Sequence, residues 1–398
     1  KTTLMNVLYG LYQPEEGEIY IRGKQVHIAS PQQAIGLGIG MVHQHFMLVP
    51  VLTVAENIIL GLPTRRGPFV DLRTAERQIS ELAHRTGLHV DPKARVRQLP
   101  VGIQQRVEIL KFLYRGADIL ILDEPTSVLT PTEAACLFDT LQDFRRQGMT
   151  VILITHKLKE IMSATDRVTV MRAGSAVATL ETRSTSPEEL ARLMVGRDVE
   201  FRIEKPGLAS DGIALEIQHL HVQGDRGLPA VRDLSLAVRK GEILGLAGVS
   251  GNGQRELAQA IGGLRQPVQG RILVDDVDVT GWKPDRLIPQ GVSHIPEERL
   301  LEGGIKQFSV EENLMLEDHI KPPFARNIFL NFPKIAEHCD RLIQEFKIKT
   351  PSRQTPLVNL SGGNIQKLIL ARELSRRPAV LIAAQPTRGV DIGSTEYI

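Results

Sequence analysis

The apolar run Ile119-Leu120-Ile121-Leu122 leads directly into Asp123-Glu124-Pro125-Thr126. A carboxylate pair closing a strand suits phosphoryl chemistry: Asp123 would support a divalent cation, and Glu124 would orient or deprotonate an attacking water. A lone Asp-Glu there also reads as an exposed acidic turn. Lys1-Thr2 matches the end of a GxxxxGK[ST] loop, in which backbone amides and the lysine hold phosphates while the hydroxyl binds Mg²⁺, with Thr3 as a neighbouring phosphate contact. Alone it is a surface dipeptide. His156 ends the run Val151–Thr155 and alone reads as a helix cap; Gln44, in Met41-Val42-His43-Gln44, alone reads as a turn residue.

An internal repeat changes those readings, because a repeat fixes the architecture before any motif does. Setting Lys1 against Gln254 (254 − 1 = 253) also aligns Leu11 with Leu264, Pro14 with Pro267, Gly17 with Gly270 and Gln44 with Glu297. After small insertions, Leu99-Pro100-Val101-Gly102 meets Leu360-Ser361-Gly362-Gly363 (360 − 99 = 261), and the same offset carries Asp123 to Ala384. The second copy supplies what precedes Lys1 in register: Gly248-Val249-Ser250-Gly251-Asn252-Gly253, following the strand-like Ile243-Leu244-Gly245-Leu246-Ala247. This is the glycine half of a phosphate loop, and it makes Lys1 and Thr2 candidates for the other half.

These residues need a scaffold that delivers them to one edge. β-rich runs ending in polar residues alternate with helical stretches, as in βαβ units around a largely parallel sheet, whose strand ends take phosphate ligands. The 398 residues suit about two domains at roughly 150 residues each. We expect a first domain at 1–201, a linker at 202–212 rich in Pro, Gly and Ser, and a second domain at 213–398. Hydrophobic residues at 42% and charged residues at 24% fit a globular protein, and no apolar run reaches the roughly 20 residues of a membrane span. A net charge of +2 provides no basic field for nucleic acid. Cys136 and Cys339 form no CxxC pair and read as packing residues in a reducing compartment. The opening Lys1-Thr2-Thr3, without Met, reads as the start of a fragment.

Taken together, these motifs resemble the ATP-binding cassette of ABC transporters. Walker A ends at Lys1-Thr2, Gln44 is the Q-loop glutamine, Ile119 to Glu124 is Walker B and His156 is the switch histidine. Leu360-Ser361-Gly362-Gly363-Asn364 resembles the LSGGQ signature with Asn in the last place, a hydroxyl and amides at a helix start that suit an anion. The resemblance covers the whole chain and implies an α/β fold of two tandem P-loop NTPase cassettes. Each would have a mixed sheet core and a helical signature subdomain.

In this family two cassettes join head to tail, so each ATP lies between one cassette's Walker motifs and the other's signature and D-loop. One site would then use Lys1, Thr2, Gln44, Asp123, Glu124 and His156, with Thr2, Gln44 and Asp123 toward Mg²⁺, completed by Ser361, Gly362, Gly363, Asn364 and Asp391. The other would have Gln254, Arg255, Glu297, Ala384 and Gln385 in the Walker and Q-loop places, with Pro100 and Thr130 in the signature and D-loop places. Seven changes at one site and none at the other imply one hydrolytic site and one degenerate site, the latter still able to hold nucleotide through Gly248, Ser250, Gly251, Asn252 and Gly253. The resemblance further implies an importer ATPase on the cytoplasmic face of the membrane. Its partners would be two transmembrane permeases, a substrate-binding lipoprotein or periplasmic protein, and a second copy of this chain through self-association. The second-copy Walker segments look like the nucleoside group; sugar importers of the ribose and galactose type and soluble ribosome-associated tandem cassettes are the alternatives.

Overall fold

The computed structural model describes the chain except residues 44–45, 63–69, 128, 200–211, 226 and 249–250. Two compact units divide it, Lys1–Val199 and Glu200–Ile398. The expected linker at 202–212 therefore lies, but for Gly212, outside the described residues.

The first unit is built on three parallel strands, Ile39–Val42, Ile119–Asp123 and Thr150–Ile154, with Ile119–Asp123 in the centre. Leu120, Ile121 and Leu122 are fully buried, the unbroken apolar run expected of a strand covered on both faces. Helix Val101–Tyr114 packs on the strand Ile39–Val42 and helix Pro131–Arg146 on Thr150–Ile154. The first contact is close enough that a Cβ at Gly40 would sit 2.7 Å from Phe112 Cβ. Helices Val54–Ile59, Leu72–Thr86 and Val101–Tyr114 pack on one another as a helical subdomain.

The second unit repeats this plan. Its parallel pair Val292–Ile295 and Val380–Ala383 keeps the same register: Val292 faces Val380 as Ile39 faces Ile119. Its helical subdomain, Val310–Met315, Phe332–Glu345 and Gly362–Ser375, has its own hydrophobic core. Local chemistry repeats too. Thr53 with Glu56 and Ser309 with Glu312 form capping boxes. One turn later, buried Asn57 and Asn313 each accept from a preceding loop amide, Val49 N–H and Ile305 N–H, at 2.8 Å. The unit opens with a four-stranded antiparallel sheet in which Ile213–Gln223 lies between Pro229–Arg239 and Gln269–Val274.

Two expectations are corrected. Ile243 to Ala247 is not a strand, and Ile243 is 98% exposed. A strand exists only in a ladder, and among the described residues Val292–Ile295 and Val380–Ala383 pair only with each other. Cys136 is exposed rather than packed, on the outer face of helix Pro131–Arg146. Cys339 is buried, and desolvation pushes its thiol up to about 12, so it stays protonated and inert. No described helix is long and apolar enough to cross a membrane.

Candidate functional site

The carboxyl ends of the first unit's strands bring five of the expected residues together. Thr2, the first residue of helix Thr2–Leu8, donates its hydroxyl to Asp123 Oδ2 at 2.9 Å. Lys1 caps that helix, and its ammonium donates to the Thr155 carbonyl at 3.4 Å. His156 Nδ1 lies 2.9 Å from Glu124 Oε1. Glu124 sits at a backbone corner with φ of 48°, a conformation side-chain-bearing residues rarely adopt, held by its own N–H donating to the Ile154 carbonyl at 2.9 Å. Strain of this kind persists where surrounding structure imposes it, and here it turns the carboxylate out of the sheet toward His156.

The two carboxylates are tuned in opposite directions. Burial, with Asp123 only 3% exposed, pushes its carboxyl above its ordinary value, opposed by the Thr2 hydroxyl. The hydrogen bond from His156 holds Glu124 below its ordinary value, so Glu124 is a carboxylate at neutral pH. A cation beside Asp123 would offset the burial of its charge, whereas the His156 bond keeps Glu124 in the ionised form that a proton acceptor must have. A folded-state value above the unfolded one favours folding at low pH, and that contribution is lost as pH rises through it. Asp123→Asn should accordingly raise the melting temperature of the nucleotide-free protein at pH 7, with the gain shrinking toward pH 4, while reducing turnover by on the order of a hundredfold. Thermal melts across that pH range check the first half and a phosphate-release assay the second.

In the second unit the same corner carries other side chains. Gln385 has φ of 47°, and Arg388 N–H donates to the Gln385 carbonyl as Ser127 N–H donates to that of Glu124. The fold of the corner is retained and its chemistry is not: Ala384 and Gln385 stand where Asp123 and Glu124 stand, and Gln385 Nε2 donates to Glu297 at 3.1 Å. Gly253 begins helix Gln254–Ile261 with φ of 94°, and a Cβ there would meet the Ala230 carbonyl at 2.3 Å, so only glycine fits. Gln254, in the lysine place, lies against Gly248, and Arg255 pairs with Glu302. Gly251 and Asn252 are exposed in the same loop.

Ser361 begins helix Gly362–Ser375 without capping it. Its oxygen instead accepts from Asn364 Nδ2 at 2.9 Å, while Asn364 Oδ1 accepts from Lys349 N–H at 2.9 Å. The serine hydrogen is thus turned away from Asn364 and can be donated elsewhere. Asp391 begins the helix Ile392–Tyr397 and accepts from Ser394 N–H at 2.8 Å. A Cβ on Gly363 would lie 2.5 Å from Ser394 Oγ, so the signature turn packs on this helix without room for a side chain. In the first unit Pro100 and Thr130 hold the equivalent helix starts, and Thr130 is likewise a cap.

The sequence profile described as ABC transporter matches residues 1–127 and 231–388, one segment in each unit. The chain belongs to the ABC transporter family. Its two units are tandem ATP-binding cassettes, subunits whose activity is ATP hydrolysis. Over its full length it is 48% identical to a nucleoside import ATP-binding protein of Lactococcus lactis, covering 79% of that protein. It is also 48% identical to a guanosine import ATP-binding protein of Bacillus subtilis, covering 78%. A glucose import ATP-binding protein of Haloferax volcanii is 45% identical, again over the whole chain and 78% of the relative.

Of the expected residues, Lys1, Thr2, Asp123, Glu124 and His156 meet in the first cassette, with Thr3 exposed on the adjoining helix. Gln44 and Ser250 lie outside the described residues. Sequence reasoning missed a supporting layer. Buried Glu160 accepts from Thr155 Oγ1 at 2.8 Å and from Thr126 Oγ1, and Lys157 Nζ donates to the Thr126 carbonyl at 3.0 Å. These bonds tie the turn after Glu124 to the turn carrying His156. Thr126 stood in the quoted run Asp123-Glu124-Pro125-Thr126, but nothing local marks its pairing with a glutamate 34 residues away.

Proposed function

We propose that this chain energises an importer for nucleosides, hydrolysing ATP in a single pocket formed by the first cassette's Walker motifs and the second cassette's signature. The observation that carries the asymmetry is one retained corner with two contents: Asp123 and Glu124 in contact with Thr2 and His156, against Ala384 and Gln385. Lys1 and the first-turn amides hold the phosphates. The Thr2 hydroxyl and Asp123 fit a Mg²⁺ ion, which takes few protein oxygens and keeps phosphate and water ligands; when bound it neutralises phosphate charge. Gln44 would join them. Glu124, ionised and aimed by His156, orients the attacking water and accepts its proton. Ser361 donates its hydroxyl hydrogen to a γ-phosphate oxygen, beside the amides of Gly362 and Gly363. Asp391 holds the neighbouring D-loop.

Two transmembrane permeases would take up the closing motion at the cytoplasmic face of the membrane, with a binding protein delivering the substrate. Helix Val54–Ile59 suits the docking role, because beside it lies a groove of about 1180 Å³ lined by Glu56, Leu60, Leu72, Gln78 and Tyr114. The identities favour nucleosides over sugars by a small margin, 48% against 45%. Uptake assays decide between them. Cells lacking the gene should lose uptake of labelled guanosine and regain it with the wild-type gene, keeping glucose and ribose uptake throughout. Normal guanosine uptake with a sugar defect would make this a sugar importer.

A further inference from the structure

The second cassette lacks the lysine and the carboxylate pair that the first cassette carries, yet in the pocket proposed above its signature has to be held in order. The structure holds a substitute. After the strand Val292–Ile295 comes Glu297-Glu298-Arg299, and the Arg299 guanidinium donates to the carbonyls of Gly362 at 2.8 Å, of Gly389 at 3.3 Å and of Arg388. Gly362 belongs to the signature turn, and Arg388 and Gly389 to the loop leading into Asp391. One side chain therefore ties its own loop to two other segments.

The junction is braced from both sides. Arg388 pairs with Glu297 and reaches Glu298 at 3.4 Å, and Gln385 donates to the same Glu297 oxygen. A Cβ on Gly389, whose φ is 59°, would lie 2.9 Å from Arg299 Nη2, and one on Gly362 would lie 3.0 Å from Nη1. The guanidinium thus lies directly against both glycines, and the positive φ of Gly389 is one that glycine adopts most readily. The first cassette cannot build this junction: Phe46 stands at the place of Arg299 (299 − 253 = 46) and Ser127 at that of Arg388 (388 − 261 = 127).

We propose that Arg299 is a positioning residue for hydrolysis, fixing the second cassette's signature turn to its D-loop by protein contacts alone. The replacements at Glu297, Gln385 and Arg388 are on this view a built brace and not accumulated damage. A planar fork with five donors suits three carbonyls at once, which a lysine ammonium on a flexible stem does not. A donor set ordered beforehand acts on developing charge without a reorganisation cost. The inference rests on the composite pocket proposed above.

In the full-length protein with its permeases, Arg299→Ala should lower kcat for ATP by on the order of tenfold to a hundredfold, since small misplacements of catalytic groups cost that much. KM for ATP should change by less than about threefold, because Lys1 and Thr2 are untouched. Arg299→Lys should recover only part of the loss. Hydrogen exchange supplies a second readout. The amides of Asn364, Arg388 and Ser394, each already hydrogen-bonded, should be protected in nucleotide-free wild-type protein and exchange faster in Arg299→Ala. A kcat within twofold of wild type overturns the inference. If the variant does not fold, rapid exchange at those amides in nucleotide-free wild-type protein overturns it equally. Ser361→Arg separates the two levels. Full turnover in that variant removes the composite pocket itself, whereas turnover lost there but intact in Arg299→Ala removes only the role of Arg299.

Discussion

Glu124→Gln should abolish ATP turnover in the complete protein, whereas Gln385→Ala should leave most of it. The amide is nearly isosteric with the carboxylate and can still meet His156, so the fold of the corner should survive. What disappears is the group that accepts a proton, and positioned general bases contribute typically about 10²- to 10⁴-fold. Glu124 is prepared for that role by its strained φ and by the bond that keeps it ionised. Gln385 occupies the same strained corner but donates to Glu297, so truncating it removes one exposed hydrogen bond of a brace that Arg388 still holds, and no proton acceptor. Steady-state phosphate release on the two variants checks the contrast. Comparable losses from both would mean that hydrolysis is not confined to the first corner.

Ser361→Arg should silence the same pocket although it lies in the other cassette, while Pro100→Arg should leave turnover close to wild type. The arginine would replace the one signature hydroxyl with a long side chain, and because Ser361 is exposed the turn has room to carry it. Removal of a single oriented donor to developing charge costs about 10²- to 10³-fold, and steric exclusion of ATP adds to it. Pro100 has no hydroxyl to lose. It stands before helix Val101–Tyr114, where a missing N–H breaks no helical bond. Turnover and binding of a fluorescent ATP analogue, measured on both variants, separate a lost donor from a blocked site. Equal effects from Pro100→Arg and Ser361→Arg would contradict an unequal pair of pockets.

Much of this arrangement is legible in the sequence because the chemistry is tied to strand ends. An apolar run closing in Asp123-Glu124 has to place both carboxylates at a sheet edge, and a duplicated sequence has to place Gln385 at the same edge. The strand pairing in identical register bears out that logic for the fold. Side-chain partners across the fold were not legible. Glu160 looks like any helix residue until Thr126 and Thr155 are folded against it. Asn364, read as a variant of the usual signature glutamine, holds the Ser361 oxygen, a relation three residues apart that the motif alone does not specify. Ile243 to Ala247 misled for the opposite reason: local apolar character promises a strand, but a strand needs a neighbour that composition cannot supply. Arg299 escaped notice because its partners are backbone carbonyls, which every residue carries.

Vanadate trapping of labelled ADP during turnover bears most directly on the chain's division of labour. A trapped transition-state complex forms only where hydrolysis occurs. One ADP per chain, cross-linked to peptides containing Lys1 or the Asp123 corner and absent from Glu124→Gln, is the predicted result. Two per chain, or label recovered beside Gly248 to Gly253, would contradict it.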